Sequence, residues 1–168
     1  MTVLHGFPPV SDPAVTTLIL GSMPGHDSLE ASRYYAHPRN AFWPIMAEIY
    51  TMSTTLEYHE RLAVLLANGV GLWDVIKSCR RSTSLDSAIE EHSIAVNNFA
   101  EFISKHPLLL RICFNGAKAE QSYRRYVLPC LKECDLLYLR LPSTSPANAR
   151  MSYLEKLAAW RAALVEDY

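Results

Sequence analysis

No stretch of the chain approaches the roughly 18 consecutive apolar residues that cross a bilayer, and no basic start leads into an apolar run with a cleavage site. A soluble, cytoplasmic protein without a membrane partner is expected. The four cysteines, Cys79, Cys113, Cys130 and Cys134, form no C-x-x-C pair. Their spacing fits neither a zinc ribbon nor a secreted disulfide framework, so they are read as reduced. Also missing are a glycine-rich nucleotide fingerprint and a cluster of metal-ligating residues. No cofactor and no metal are therefore expected. Basic charge is not in excess either: the formal net charge is −1, which argues against non-specific nucleic-acid binding over a broad basic surface. A local basic face stays open, because Arg33, Arg39, Lys77, Arg80, Arg81, Arg124, Arg125, Arg140 and Arg150 mostly fall near the ends of the segments described next.

What the chain does have is apolar content, 49% over 168 residues, enough for one globular domain spanning residues 1–168. A monomer is expected. Four runs, "VTTLILGS", "GVGLWDVIKS", "LLRICFNG" and "DLLYLRLPST", are β-branched and apolar and end at turn residues, which reads as buried strands. Between and after them lie helical stretches: "NAFWPIMAEIY", "TLEYHERLAVLLAN", "VNNFAEFISKH", "AKAEQSYRRYVLPCLKE" and "MSYLEKLAAWRAALVEDY". In the last, Leu154, Leu157, Ala158, Leu164 and Val165 approximate an apolar stripe. Apolar strands alternating with helices give an α/β fold, a parallel sheet covered on both faces.

Ligands of such sheets bind outside the strand carboxyl ends, and the unusual residues fall there. After the first strand comes Gly21-Ser22-Met23-Pro24-Gly25, a turn that lets backbone approach a ligand closely and that Pro24 stiffens. Next comes "YYAHPRNAFWPI". Asn40 reads from its spacing as a helix N-cap. Tyr34 and Tyr35, in an extended segment, would face opposite ways, so that at most one need line a pocket. Phe42 and Trp43 read as core. Asp74 and Asn115 end or follow interior strands, and Asp74 could instead cap or pair with Lys77, Arg80 or Arg81. "LPSTSPANAR" gathers Ser143, Thr144, Ser145 and Asn148 around two prolines, a loop able to hold phosphate oxygens or enter a minor groove.

Taken in order, "LILGSMPG", "YYAHPRNAFWPI", "GLWDVIKSCRRSTSLDSAI", "CFNG" and "LPSTSPAN" resemble the uracil-DNA glycosylase superfamily, closest to its hypoxanthine-DNA glycosylase branch, family 6. The "YAHPRNAFW" stretch is also similar to the mismatch-specific uracil-DNA glycosylases. The resemblance implies a three-layer α/β/α sandwich with a short four-stranded parallel sheet. It further implies DNA repair by base flipping and hydrolysis of the N-glycosidic bond, leaving an abasic site. Two departures stand out. Met23 occupies the position where most of the superfamily carries an Asp or Asn that positions water, and Leu141 replaces the His or Asn that opens the second motif.

In the branch that shares both losses, the polar residue that matters falls at the position of Asn40, which the resemblance makes the catalytic candidate. It makes Gly21, Ser22, Met23, Pro24, Gly25, Tyr35, Phe42, Asp74 and Asn115 the base-binding set. His37, Arg39, Ser143, Thr144, Ser145, Pro146, Asn148 and Arg150 are expected to meet DNA, with Pro146 to Asn148 as a wedge filling the space of the flipped base. No lysine nucleophile stands out, so hydrolysis without strand cleavage is expected. DNA containing deaminated bases is the expected partner, met at the nucleoid. Alternatives are the same chemistry on uracil or a mismatched base, and a silent binder of damaged DNA, which Met23 and Leu141 favour.

Overall fold

In a computed structural model that describes residues 2–165, the elements follow in the order β1 (Leu4–His5), β2 (Thr17–Gly21), α1 (His26–Ala31), α2 (Phe42–Ile49), α3 (Tyr58–Ala67), β3 (Val70–Asp74), β4 (Ile76–Cys79), β5 (Ala95–Val96), α4 (Phe99–Lys105), β6 (Arg111–Asn115), α5 (Ala117–Ser122), β7 (Leu137–Leu141) and α6 (Tyr153–Val165). Four strands form a parallel sheet in the order β3-β2-β6-β7. Central β2 and its neighbour β3 are buried at every position, because helices cover both faces; this is why their sequences read as continuous apolar runs.

Alternate residues of each strand feed opposite cores. On one face Ile19, Leu72 and Cys113 pack against Phe42, Ile45, Met46 and Trp160 from α2 and α6. On the other, Leu18, Leu20, Ile112 and Phe114 meet Phe99, Phe102 and Tyr123. This is the α/β/α sandwich with a four-stranded parallel sheet. The free edge of β3 is closed by the N-terminal segment, where Val10 exchanges both backbone hydrogen bonds with Leu72, removing an open pairing edge.

The run "GVGLWDVIKS" is not one strand. At Val75 the chain leaves the parallel sheet: the amides of Val75 and Ile76 donate to the carbonyls of Gly21 and Ser22, and β4 joins β1 and β5 in a second, antiparallel sheet. Met23 packs there with Ile76, Cys79 and Ile89. The stripe expected on the last helix is also different. Leu154 and Val165 are exposed, at 73% and 58%, whereas Lys156, Leu157, Trp160 and Ala163 face inward. Lys156 lays its aliphatic stem against the protein, with Nζ 3.5 Å from the Ser145 carbonyl. The end of that expected helix, 166–168, lies outside the described residues. The stretch "AKAEQSYRRYVLPCLKE" is α5 continued by a π-type turn, Tyr123–Val127, and a short 3-10 turn ending at Cys130. All four cysteines are free.

Candidate active site

The carboxyl ends of β2, β3, β6 and β7 open into one cleft of about 680 Å³. Its floor comes from the Gly21–Gly25 turn, Asp74 and Asn115, one wall from Tyr34, Tyr35, His37, Arg39 and Asn40, and the far wall from Ser143 to Asn148. These chain segments are far apart in sequence, and the parallel register that sets Gly21 opposite Asp74 brings the first two together. Of the residues expected in the site, Phe42 and Arg150 do not line the cleft. Phe42 is fully buried in the core under Tyr35, rings 3.9 Å apart at 23°. Arg150 is exposed on the loop beyond.

The aromatic wall is fixed from behind. Tyr34 donates its hydroxyl to the Pro8 carbonyl at 2.8 Å, its amide donates to Tyr58 Oη, and its carbonyl accepts from Trp43 Nε1. The segment is a turn, not extended: Tyr35 has φ of +57°, the left-handed region that costs a non-glycine residue energy and recurs at functional sites. That turn lets both tyrosines border the cleft, contrary to the alternation of an extended strand. Since Phe42 covers one face of the Tyr35 ring, a base can stack only on the other.

Asn40 does not cap α2 in the ordinary way. Ala41 is the N-cap residue, and Asn40 Oδ1 accepts from the Phe42 amide at 2.9 Å. The Phe42 N–H identifies which end of the side-chain amide is oxygen, so the Nδ2 donors are what Asn40 offers the cleft. His37 holds its own loop: Nδ1 accepts from the Arg39 amide at 3.0 Å, and Nε2 lies 3.6 Å from Asp27.

Across the cleft, Thr144 is 1% exposed and turned inward. Its amide donates to Asn115 Oδ1 and its hydroxyl accepts from Asn115 Nδ2, both at 2.9 Å. Thr144 therefore ties the loop to β6 and offers little to a phosphate, and Asn115 keeps one Nδ2 hydrogen for a ligand. The hydroxyls of Ser143 and Ser145 accept from the amides of Ser145 and Ala147, and Asn148 Nδ2 donates to the Ser143 carbonyl. The loop is thus shaped by its own side chains. Met23 and Leu141 are each 6% exposed and pack into cores, Met23 bordering the cleft floor as well.

The stretch after the second apolar strand, "DVIKSCRRSTSLD", belongs at the site by the strand-end rule, but sequence reading singled out only Asp74 in it and none of Ser84, Leu85, Asp86 and Ser87, which form a further wall. Asp86 Oδ1 accepts from Ser22 Oγ at 2.6 Å, and Ser84 Oγ accepts from the His26 amide. "STSLDS" looks like any polar loop, and only the departure of the chain at Val75 carries it over the cleft. Buried Arg81 also braces the floor, its Nη2 donating to the Pro24 carbonyl at 2.7 Å.

Asp74 is the electrostatic anomaly. It is 4% exposed, forms no ion pair among the described residues, and its Oδ2 has no hydrogen-bond partner. Burial, reinforced by the charge of Asp86 and opposed by Arg81, pushes its carboxyl up to about 7. The alternative of pairing with Lys77, Arg80 or Arg81 is not realised as an ion pair among the described residues, although the Arg81 charge acts on Asp74 from nearby. The Tyr35 hydroxyl is likewise unpartnered; it approaches Asn115 without a hydrogen bond of acceptable geometry, and burial raises its pKa.

A parallel α/β sheet whose strand ends carry a cleft with aromatic and polar walls defines a class, α/β proteins with their ligand site at the strand carboxyl ends. The family follows from comparison with known proteins. The Uracil DNA glycosylase superfamily profile matches residues 8–167. A hypoxanthine DNA glycosylase of Methanosarcina acetivorans is 38% identical over 151 residues, covering 89% of this chain and 91% of that protein. Another from Methanosarcina barkeri is 36% identical over 157 residues, covering 93% and 94%. A solution NMR structure from M. acetivorans, provisionally designated a uracil DNA glycosylase, superposes with a TM-score of 0.77 at 34% identity, covering 95% of this chain and 98% of that one. The chain belongs to the uracil DNA glycosylase superfamily.

Proposed function

We propose that the chain is a monofunctional DNA glycosylase that flips deoxyinosine out of DNA and hydrolyses its N-glycosidic bond, releasing hypoxanthine and leaving an abasic site. It acts as a single-domain monomer on genomic DNA, at the nucleoid. The relatives named for hypoxanthine support the substrate. The observation that carries the mechanism is Asn40, whose oxygen is held by the Phe42 amide while the residue borders the cleft.

With its oxygen engaged, Asn40 acts chiefly as a donor. N-glycosidic cleavage passes through an oxocarbenium-like transition state in which negative charge collects on the departing base. A donor aimed at that charge stabilises the transition state more than the ground state, an effect of about 3 to 4 kcal/mol at comparable oxyanion sites. Asn40 therefore holds the departing base, through O6 in hypoxanthine, rather than activating water. Tyr35 stacks on the flipped ring, worth roughly 1 to 3 kcal/mol. Arg39 and the Ser143–Asn148 loop meet the flanking DNA.

Met23 and Leu141 each complete a core, which gives both a structural reason to be apolar, so the choice between enzyme and silent binder rests on release of free base. The deciding experiment is alkali-revealed cleavage of labelled oligonucleotides carrying one deoxyinosine or one deoxyuridine, with wild type beside Asn40→Ala. Deoxyinosine cleavage that falls about 100- to 1,000-fold in the variant supports this reading. Cleavage of deoxyuridine alone assigns the uracil activity instead, and binding without release of free base assigns the silent binder.

A further inference from the structure

A buried carboxyl group with an unpartnered oxygen lines the cleft, and the geometry points to Asp74 as the general acid that protonates the purine ring at N7 while the C1′–N9 bond breaks. This rests on the hypoxanthine reading above. Asp74 ends β3 directly opposite Gly21 in the parallel register, and its side chain lies across the Gly21 backbone. A Cβ at Gly21 would sit 2.5 Å from Asp74 Oδ1 and 3.5 Å from Tyr35 Oη. The missing side chain is thus what makes room for the carboxyl.

No protein group satisfies Oδ2, and a buried polar atom without a partner calls for one. The groups facing the carboxyl are Arg81, beyond β4, and Asp86, from the wall formed by Ser84 to Ser87, with Tyr34 and Tyr35 from the aromatic wall. Arg81 gives its Nη2 to the Pro24 carbonyl, and Asp86 is engaged by Ser22. The balance of burial and the Asp86 charge against Arg81 leaves the acid protonated up to about pH 7, the range in which a general acid works best.

Hypoxanthine has at N7 the basic ring nitrogen that such an acid needs; uracil has no ring nitrogen of that kind. In the step, the bonding pair of C1′–N9 leaves with the base, and the Asp74 proton passes to N7. Hypoxanthine departs neutral as its N7–H tautomer. Water adds to C1′ and loses its second proton to solvent, and Asp74 regains a proton from solvent. No net proton is consumed. Asp74 thereby makes the site selective for purines, a role separate from that of Asn40.

The test uses the whole chain under single-turnover conditions with oligonucleotides containing deoxyinosine or 7-deaza-deoxyinosine, which carries C–H in place of N7. Wild type is expected to cleave deoxyinosine with a rate that declines on the alkaline side of about pH 7 and to cleave the 7-deaza substrate at least about 100-fold more slowly. Asp74→Asn should show a similar loss in the single-turnover rate on deoxyinosine at saturating enzyme, and should lose the alkaline decline. Asp86→Asn should move that decline to lower pH. Equal cleavage of the two substrates by folded wild type overturns the proposal, as does Asp74→Asn activity within about threefold of wild type. Failure of wild type to cleave deoxyinosine at any pH overturns the hypoxanthine reading itself, so the two failures are distinct.

Discussion

The two ends of the parallel sheet treat polar atoms in opposite ways. At the amino end, Thr16 and Thr17 donate their amides to the Gly69 carbonyl, and the amides of Leu110 and Arg111 donate to the Thr16 carbonyl. Leu137 closes onto Leu110, and Arg111 Nη1 donates to the Ala163 carbonyl at 2.8 Å. At the carboxyl end, Tyr35 Oη and Asp74 Oδ2 have no partner, and Arg81 beneath the turn leaves Nε and Nη1 unbonded. Of the buried side-chain atoms without a partner among the described residues, only Ser122 Oγ lies away from this region. An unmade buried hydrogen bond costs about 1 to 3 kcal/mol, so the carboxyl end carries a stability penalty that the amino end avoids. A site that must bind a polar ring keeps polar groups free for it.

The largest effect that sharpens this contrast is expected at Phe42. It lies two residues from Asn40, yet belongs wholly to the scaffold, fully buried with Tyr35 stacked on it and Trp160 edge-on at 6.0 Å. Phe42→Ala should lose about 3 to 5 kcal/mol of stability in denaturant unfolding. A loss under about 1 kcal/mol would move Phe42 back from the core to the ligand. Next comes Gly21→Ala, whose new Cβ meets the Asp74 carboxyl at 2.5 Å. Deoxyinosine excision should fall by about 100-fold, on the scale of losing one acid-base catalyst, while the melting temperature moves little. Unchanged excision would mean that the carboxyl can move aside at no cost.

Gly69→Ala is the counterpart at the amino end. Gly69 has φ of +74°, and a Cβ there would lie 2.9 Å from Thr16 Oγ1. The left-handed conformation costs a residue with a Cβ roughly 1 to 2 kcal/mol. Stability should drop by that amount, with the excision rate per folded molecule unchanged. If excision fell as steeply as in Gly21→Ala, the two ends would not be functionally separate.

How much of this could be read from sequence follows the same division. The four parallel strands were legible because both faces of each inner strand are covered, so burial writes itself as an unbroken apolar run. The small antiparallel sheet was not: β1 and β5 span two residues each, too short for alternation to register. On the last helix, Lys156 is buried and Leu154 exposed, because a lysine stem can pack as well as an aliphatic side chain and a helix of mixed character has no single stripe. The cleft residues on the Gly21 turn, the tyrosine loop and the Ser143 loop were legible from the strand ends and the ordered motifs. Two features were out of reach. The role of Asp86 is one, although its stretch was among the ordered motifs, because a bend at Val75 that no local pattern announces decides where it points; the engagement of the Asn40 oxygen by the Phe42 amide in three dimensions is the other.

The penalty at the carboxyl end can be tested directly, through Asp74 and pH. Its folded carboxyl titrates at about 7, above the ordinary value near 3.9 in an unfolded chain. The folded state therefore binds more protons than the unfolded state between these values, and stability must fall as pH rises through that window. Below about pH 4 the carboxyl is neutral in both states and costs nothing electrostatic; above about pH 7 the folded protein must either bury a charge or hold its proton against the solvent. An asparagine does not titrate. Asp74→Asn should come close to wild type near pH 4 and exceed it at pH 8 by about 4 kcal/mol, roughly 1.4 kcal/mol for each of about three units between the two values, a gain in stability in a protein whose excision is impaired. Denaturant unfolding at the two pH values checks the sign: a variant less stable than wild type at pH 8 would mean that the Asp74 carboxylate is paired in the folded protein, and the carboxyl end of the sheet would then carry no more strain than the amino end.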